Sequence, residues 1–300
     1  MSNPKSPLKF IGLLSLTALI TPVIGPFGAV PMRTIRRAFG RWAFWSALLA
    51  LAGVFFAVNL PVQGVFVLAL TIMVGVFAEV EEHGGSIFSS ALVGMLASVG
   101  TIAIGATLWL MQTKTTIMGQ VRTYAAEVVK QAQAVNPEVT LEVDTLIRTL
   151  PSAIVVTLLV AMAVALVWDR PVGAFFRVAS TSQTGGDKLR SFRVPDAFVW
   201  LVATSIFAAF YKHGSPLAET IGLNVFYAMI AIYFFQGVAV IAQGFKTFKV
   251  GAFWQAAWCL IIIVQFYAVA FLGFADYWID FRSRMTSKPA PPKNAFKNQN

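Results

Sequence analysis

The feature that most constrains this chain is a set of long apolar runs without a single charged side chain. Residues 154–167, 199–210 and 256–275 contain no Asp, Glu, Lys or Arg. A transmembrane helix needs about 20 predominantly apolar residues to cross the hydrocarbon core of a bilayer. Only 12% of the 300 residues are charged, whereas soluble domains carry about 25%. The sequence therefore predicts an integral membrane protein.

The apolar runs predict an all-α fold, a polytopic transmembrane helical bundle with about eight membrane segments. These segments are residues 10–30, 42–58, 62–80, 86–110, 150–168, 196–212, 218–243 and 252–274. We expect residues 1–284 to form a single integral membrane domain. The Lys- and Pro-rich residues 285–300 are predicted to be a disordered tail.

The first segment is the least regular, because prolines and glycines interrupt it. These residues are Pro22, Gly25, Pro26, Gly28 and Pro31. Proline inside a helix removes a backbone hydrogen bond and kinks the axis. The segment therefore either crosses the membrane or forms a short helix followed by a re-entrant half-helix, which must be packed inside protein.

Two amphipathic helices are predicted between the fourth and fifth segments, in residues 113–149. The first has an apolar stripe at helical spacing, made of Ile117, Val121, Tyr124 and Val128. The second begins with Asn136 as N-cap and Pro137 as first helical residue. Its buried side is made of Val139, Val143, Leu146 and Leu150. These helices are expected to lie at the membrane surface or to cover the bundle.

The net charge of +10 arises from basic residues between the apolar segments and in the tail. One such stretch, residues 169–195, is predicted to be a basic interfacial loop. Because no separate basic domain exists, we expect the lipid bilayer rather than nucleic acid as the partner.

No motif for catalysis or for cofactor binding is present. The chain lacks the patterns GxxxxGK[ST], HExxH, GxSxG and paired CxxC. Its one cysteine is Cys259 and its two histidines are His83 and His213. The sequence therefore predicts a protein that is not an enzyme and that holds no metal or cofactor.

Acidic residues crowd the end of the third segment, where Glu79, Glu81 and Glu82 precede His83. Carboxylates at a helix C-terminus meet the negative end of the helix dipole, so something should compensate them. The basic residues at positions 33–41 are predicted on the same side of the membrane and are candidate partners. A divalent-cation site is the alternative.

Small residues recur along the fourth segment at helical spacing. The face includes Ser90, Gly94, Ser98 and Gly105. Such a face allows another helix to approach closely. The alternative is a face that leaves room for a substrate.

Polar residues concentrate in the last two membrane segments. The candidate ligand contacts are Asn224, Tyr233, Gln236, Gln265 and Asp276. They either line a polar cavity for a small molecule or serve as hydrogen-bonding contacts between helices. Interfacial structural roles are predicted for Arg193, Asp196, Asp280 and Arg282.

The C-terminal third resembles the YybS-like family of uncharacterised polytopic bacterial membrane proteins. The resemblance rests on FRVPD at 192–196, YFFQGVAVI at 233–241 and FLGFADYWIDFR at 271–282. The matching positions are Gln236, Gly237, Leu272, Gly273, Asp276, Asp280, Phe281 and Arg282. The family is in turn distantly similar to the substrate-binding components of energy-coupling factor vitamin transporters, in which proline- and glycine-broken helices precede a basic turn.

Two functions therefore remain open from the sequence. The resemblance implies a small-molecule-binding or transport component of the bacterial inner membrane. The small-residue face and the amphipathic helices allow, instead, a scaffold or assembly subunit that contacts other membrane proteins.

Overall fold

The computed structural model describes residues 6–113, 117–136, 138, 140, 142–178, 189–211 and 215–286. All regular secondary structure in these ranges is helical, which confirms the all-α class. The first helices are α1 (Pro7–Ile24), a 3₁₀ turn (Gly25–Gly28), α2 (Ala29–Phe39), α3 (Arg41–Ala57), α4 (Pro61–Glu82), α5 (Ile87–Thr113) and α6 (Ile117–Val135). The others are α7 (Val143–Phe175), α8 (Phe198–Phe210), α9 (Pro216–Thr247), α10 (Ala252–Val264), α11 (Phe266–Ile279) and α12 (Phe281–Thr286).

Five helical stretches are long and apolar enough to cross a membrane. They are Pro7–Phe39, Pro61–Glu82, Ile87–Leu108, Val143–Phe175 and Pro216–Thr247. A sixth arises if α10 and α11, which are bent by 97° relative to each other, form one broken span. The predicted count of eight is not confirmed, because α3 and α8 are apolar but only 17 and 13 residues long.

The first of these stretches folds back on itself. A continuous helix would separate Phe10 from Phe39 by about 43 Å at 1.5 Å per residue, but their ring centroids are 5.0 Å apart. The chain reverses at Gly25, whose φ of 48° lies in the left-handed region. Helices α1 and α2 thus form a hairpin, whereas the choice between a crossing and a re-entrant segment stays a prediction.

The described residues divide into two compact units. The first comprises residues 1–189 and 200–229, and the second comprises residues 190–199 and 230–300. The core of the first unit is apolar and comes from α1 to α4 and α7. Its fully buried members include Leu13, Met32, Phe44, Leu70, Phe77 and Leu158. The assignment of a single membrane domain stays a prediction.

The small-residue face of α5 packs against α4 inside the first unit. The hydroxyl of Ser98 donates a hydrogen bond to the carbonyl of Ala69 at 2.7 Å. A Cβ atom on Gly94 would lie 2.8 Å from the carbonyl oxygen of Met73, so only glycine permits this approach. Ser90 is fully buried, and Gly105 lies beside Val65.

Only one of the two amphipathic helices exists as a separate helix in the described residues. It is α6, whereas the second predicted helix is absorbed into α7, which begins at Val143 and contains Leu146 and Leu150. Asn136 does not start a helix but accepts a hydrogen bond from the backbone N–H of Glu138. Pro137 and Val139 lie outside the described residues.

Helix α7 continues through Pro151 because a side chain from α9 replaces a backbone hydrogen bond of the helix. Proline distorts the preceding turn and cannot donate a hydrogen bond. The amide of Asn224 donates to the carbonyl of Arg148 at 2.7 Å and accepts from the N–H of Ser152 at 2.8 Å. Asn224 thereby bridges the two backbone groups that would normally bond to each other.

Asn224→Leu is expected to destabilise the protein by about 1–3 kcal/mol, because the part-buried N–H of Ser152 loses its acceptor and the carbonyl of Arg148 loses its donor. Chemical unfolding in detergent micelles measures this loss. The control is Gln255→Leu, which removes an exposed side-chain bond to the carbonyl of Val250 and should change stability by less than about 0.5 kcal/mol. Equal losses in both variants would contradict the bridging role.

Candidate functional site

A cluster of four arginines and four carboxylates lies where α2, α4 and α7 meet in the first unit. Its members are Arg33, Arg36, Arg37, Arg41, Glu79, Glu81, Glu82 and Asp169. We refer to these eight residues as the charged cluster. Arg33 is only 1% exposed and Arg36 only 5% exposed, so α2 carries two guanidinium groups into the protein interior.

Each buried arginine binds two carboxylates. Arg33 contacts Glu81 at 2.9 Å through Nη2 and Asp169 at 3.2 Å through Nε. Arg36 contacts Glu82 at 2.9 Å and Glu79 at 3.1 Å, both through Nη2. Buried charges require such pairing, because an isolated ion in a low-dielectric interior is strongly unfavourable.

The two remaining arginines of the charged cluster, Arg37 and Arg41, also lie beside carboxylates. Arg37 forms an ion pair with Asp169, and Arg41 lies 3.9 Å from Glu79. The predicted pairing of the acidic end of the third segment with the arginines at 33–41 is therefore confirmed. These contacts also offset the unfavourable interaction of three carboxylates with the negative end of the α4 helix dipole.

Exposed tryptophan side chains adjoin the charged cluster. Trp42 and Trp168 flank it in sequence and are 78% and 53% exposed, as in the aromatic belts of membrane proteins. The ammonium group of Lys9 donates to the carbonyl of Arg177 at 2.8 Å, so the start of α1 and the end of α7 share this side. The start of α1 therefore lies beside part of the predicted basic loop, residues 169–195.

The cluster offers little for metal chemistry. Among the described residues no group of three or more His, Cys, Asp or Glu side chains is placed to hold a metal ion. Within the same ranges, Nη1 of Arg33 and Nε of Arg36 are buried without a hydrogen-bond acceptor. The Arg33 guanidinium lies 4.8 Å from the centroid of the Phe77 ring, a cation–π contact that offsets part of this cost.

A second polar cluster, in the second unit, consists of Gln236, Asp276 and Arg282. Gln236 accepts a hydrogen bond from the backbone N–H of Val194 at 2.8 Å and donates to the carbonyl of Gly273 at 2.9 Å. Its amide also lies 3.4 Å from Asp276 Oδ2. The side-chain amide of Gln236 therefore connects α9, α11 and the segment before α8.

Arg282 supplies the positive charge of this cluster. Its Nη2 and Nε atoms lie 2.7 and 3.2 Å from Asp276 Oδ2. Its Nη1 donates to the carbonyl of Phe192 at 2.8 Å. Asp276 is fully buried, so this ion pair is a condition for burying its carboxylate.

Two glycines allow α9 and α11 to pack at the distance that these bonds require. A Cβ atom on Gly273 would lie 2.0 Å from the carbonyl oxygen of Tyr233. A Cβ atom on Gly237 would lie 2.0 Å from the carbonyl oxygen of Val269. Backbone contact of this kind brings the Gln236 amide within reach of Gly273.

The remaining predicted residues have distinct surroundings. Tyr233 is buried, with its ring edge-on to Phe274 at 5.2 Å. Asp280 ends α11 with a left-handed φ of 47°. A hydrogen bond from the Ser283 side chain, together with the positive charges of Arg193 and Arg282, holds the pKa of Asp280 below its usual range. Arg193 and Asp196 are exposed.

An open apolar pocket of about 600 Å³, closer to a surface groove than to an enclosed cavity, lies within the second unit, beside the bend between α10 and α11; we refer to it as the cavity. Its walls come from α9 to α12 and include Val240, Gly244, Phe245, Trp258, Leu272 and Phe281. Among the described residues that line it, Gln265 is the only one with a side-chain amide. Ligand pockets of comparable volume are mostly apolar and contain a few polar groups that orient the ligand.

Sequence reasoning missed Asp169 and the apolar character of the cavity. Asp169 had one usable signal, since it ends the fifth segment on the side predicted for the arginines. The cavity had none, because its shape depends on the 97° bend at Gln265. The roles of Asn224, Tyr233, Gln236, Gln265 and Asp276 as ligand contacts stay predictions.

Comparison with known proteins supports this description of a membrane protein. The family model "Predicted membrane protein (DUF2232)" matches residues 10–277. The chain belongs to this family. No curated protein and no solved structure matches the chain.

The part of the chain that matches DUF2232 contains most of both polar clusters. It includes the whole charged cluster as well as Gln236, Gln265 and Asp276, and it ends before Arg282.

Arg33→Leu is expected to destabilise the first unit by about 3–5 kcal/mol, because it leaves Glu81 without its arginine and removes one of the two arginines that pair with the buried Asp169. Denaturant unfolding in micelles measures this change. The control is Arg122→Leu, whose partner Asp144 is exposed and whose loss should cost at most about 1 kcal/mol. A loss no greater than that of the control would show that the buried pairs do not hold the hairpin.

Gln236→Leu is expected to lower the free energy of unfolding by about 1–3 kcal/mol, since the buried N–H of Val194 loses its acceptor. The matched control is Gln243→Leu, on the same helix, where the structure gives no side-chain hydrogen bond within the described residues. The two variants should therefore differ in thermal midpoint. Identical midpoints would exclude a structural role for the Gln236 amide.

Proposed function

We propose that this protein is a small-molecule-binding or transport component of the bacterial inner membrane. Its ligand is an apolar molecule with one hydrogen-bonding group. The binding site is the 600 Å³ cavity beside the bend between α10 and α11. The single observation that carries the proposal is this apolar cavity with one amide, Gln265, in its wall.

The position of Gln265 supports its role as the polar ligand contact. It follows α10 and precedes α11, with φ and ψ of −95° and 41°. Its backbone groups are used, since its N–H donates to Ile261 and its carbonyl accepts from Val269. Its side-chain amide has no hydrogen-bond partner among the described residues. That amide is therefore available to a ligand.

The break between helices α10 and α11 also favours a binding function. Irregular backbone within a membrane is tolerated where it is covered by protein or lines a cavity. Transporters commonly place substrate sites at such discontinuous helices. The resemblance to YybS-like proteins and, more distantly, to substrate-binding components of energy-coupling factor transporters points in the same direction.

The other predicted ligand contacts receive less support. The amides of Asn224 and Gln236 are engaged by backbone groups, and one oxygen of Asp276 is paired with Arg282. We therefore assign them to holding the helices in place. In this proposal Tyr233 is also structural, because its ring packs on Phe274.

The scaffold alternative and an enzymatic function are weaker. Of the two surfaces predicted for a scaffold, the small-residue face of α5 is not free for a partner, because it packs against α4. An enzyme would need free acid or base groups near Glu79, but Glu79 and Glu82 bind Arg36. We propose that the protein is not an enzyme.

Filling the cavity provides the test. Gly244 lines it, and a Cβ atom there would meet only Met285 and Phe248, at 3.7 and 4.0 Å. Gly244→Phe should therefore occupy the cavity without moving backbone. Gly53→Phe is the matched control, because a Cβ atom on Gly53 meets nothing within 4 Å and the residue is an exposed helix position.

Native mass spectrometry of protein extracted gently from its own membrane is the measurement. We expect a bound small molecule on the wild type and on Gly53→Phe, loss of that mass on Gly244→Phe, and reduced occupancy on Gln265→Leu. An unchanged adduct on Gly244→Phe, or the absence of any adduct on the wild type, would reject the proposal.

A further inference from the structure

Helix α6 carries an apolar stripe that the rest of the described protein leaves uncovered. Val121, Tyr124, Val128 and Val135 follow one another at spacings of three, four and seven residues, so they share one face of the helix. Tyr124, Val128 and Val135 are 51%, 53% and 88% exposed. An amphipathic helix in a water-soluble fold would turn such a face inwards.

Contact with α7 is made by another side of α6. Val129, one position and therefore about 100° around the helix from Val128, is the buried residue, with 8% exposure. Arg122, which lies close to Val129 on the helical wheel, forms an ion pair with Asp144 of α7. The apolar stripe is therefore not the surface by which α6 attaches to the bundle.

The position of α6 in the chain brings it to the bilayer boundary. The candidate span in α5 ends at Leu108, and α6 begins at Ile117. In α7, Pro151 and Asp169 are about 27 Å apart at 1.5 Å per residue, close to the roughly 30 Å of the hydrocarbon core. The turns before Pro151, which include Asp144, therefore protrude from the hydrocarbon, and α6 is held at their level.

The lipid-facing surface of α5 leads towards this stripe. Ile104, Leu108 and Met111 are 64%, 57% and 72% exposed and recur at helical spacing. The exposed apolar surface thus extends to the end of α5, beside α6 in the chain. Lys130 of α6 lies away from the stripe and is exposed.

We propose that α6 lies in the plane of the bilayer surface, with Tyr124, Val128 and Val135 inserted among the lipids. The occupant of the stripe is the lipid interface, at the boundary between headgroups and acyl chains. Lys130 and Thr123 face water. Because this site is in the first unit, it is independent of the proposed ligand cavity.

Site-directed spin labelling of the full chain in lipid nanodiscs tests this placement. The background is Cys259→Ser, which removes the only native cysteine. Single labels are placed through Tyr124→Cys and Val128→Cys on the stripe, and through Thr123→Cys and Lys130→Cys as matched controls on the same helix. All four side chains are exposed, so a label replaces no buried contact.

Collision rates with oxygen, which concentrates in lipid, and with a water-soluble nickel chelate are compared. Oxygen collisions should exceed nickel collisions at positions 124 and 128, and the ratio should reverse at 123 and 130. Nickel access at 128 equal to that at 130 would overturn the proposal. So would low access to both reagents, or dipolar broadening between copies labelled at 128, because either result means that protein covers the stripe.

Discussion

The first unit depends on the pairing of buried arginines with carboxylates from two other helices. Helix α2 contributes Arg33 and Arg36, α4 contributes its acidic end, and α7 contributes Asp169. The arginines alone would be unfavourable, since a buried charge loses its hydration. The carboxylates alone would be unfavourable, since they lie at the negative end of the α4 helix dipole. Together they fix the returning arm of the hairpin against both helices.

Outside the charged cluster, polar side chains form hydrogen bonds to backbone groups. Asn224 connects a carbonyl and an N–H on either side of Pro151, and Gln236 satisfies the N–H of Val194 and the carbonyl of Gly273. Inside a bilayer no water is available for such groups, so a missing backbone bond must be replaced by the protein. This requirement explains why Asn224 and Gln236 occur within otherwise apolar helices without either of them needing to contact a ligand.

The second unit differs because, among the described residues, the break between α10 and α11 is not bridged by a side chain from another helix. At Gln265 the helix turns by 97° instead of being bridged by a neighbouring side chain. The bend creates a cavity whose walls are apolar. The contrast with Pro151, where a partner amide closes the irregularity, is the physical basis for proposing a ligand site at Gln265.

The sequence alone determined that this is a multi-pass helical membrane protein, because charge-free runs can be stable only in lipid or in a large core. It also predicted the partners of Glu79 and Glu82. Two predicted membrane segments separate Arg36 from these carboxylates, so the opposite charges are expected on the same side of the membrane. Only the tertiary structure decided that the first segment returns, that Asp169 joins the arginines, and that residues 143–175 form one helix through Pro151. Those outcomes depend on contacts between residues far apart in the chain, such as Phe10 with Phe39 and Asn224 with Ser152, and local hydropathy carries no information about such contacts.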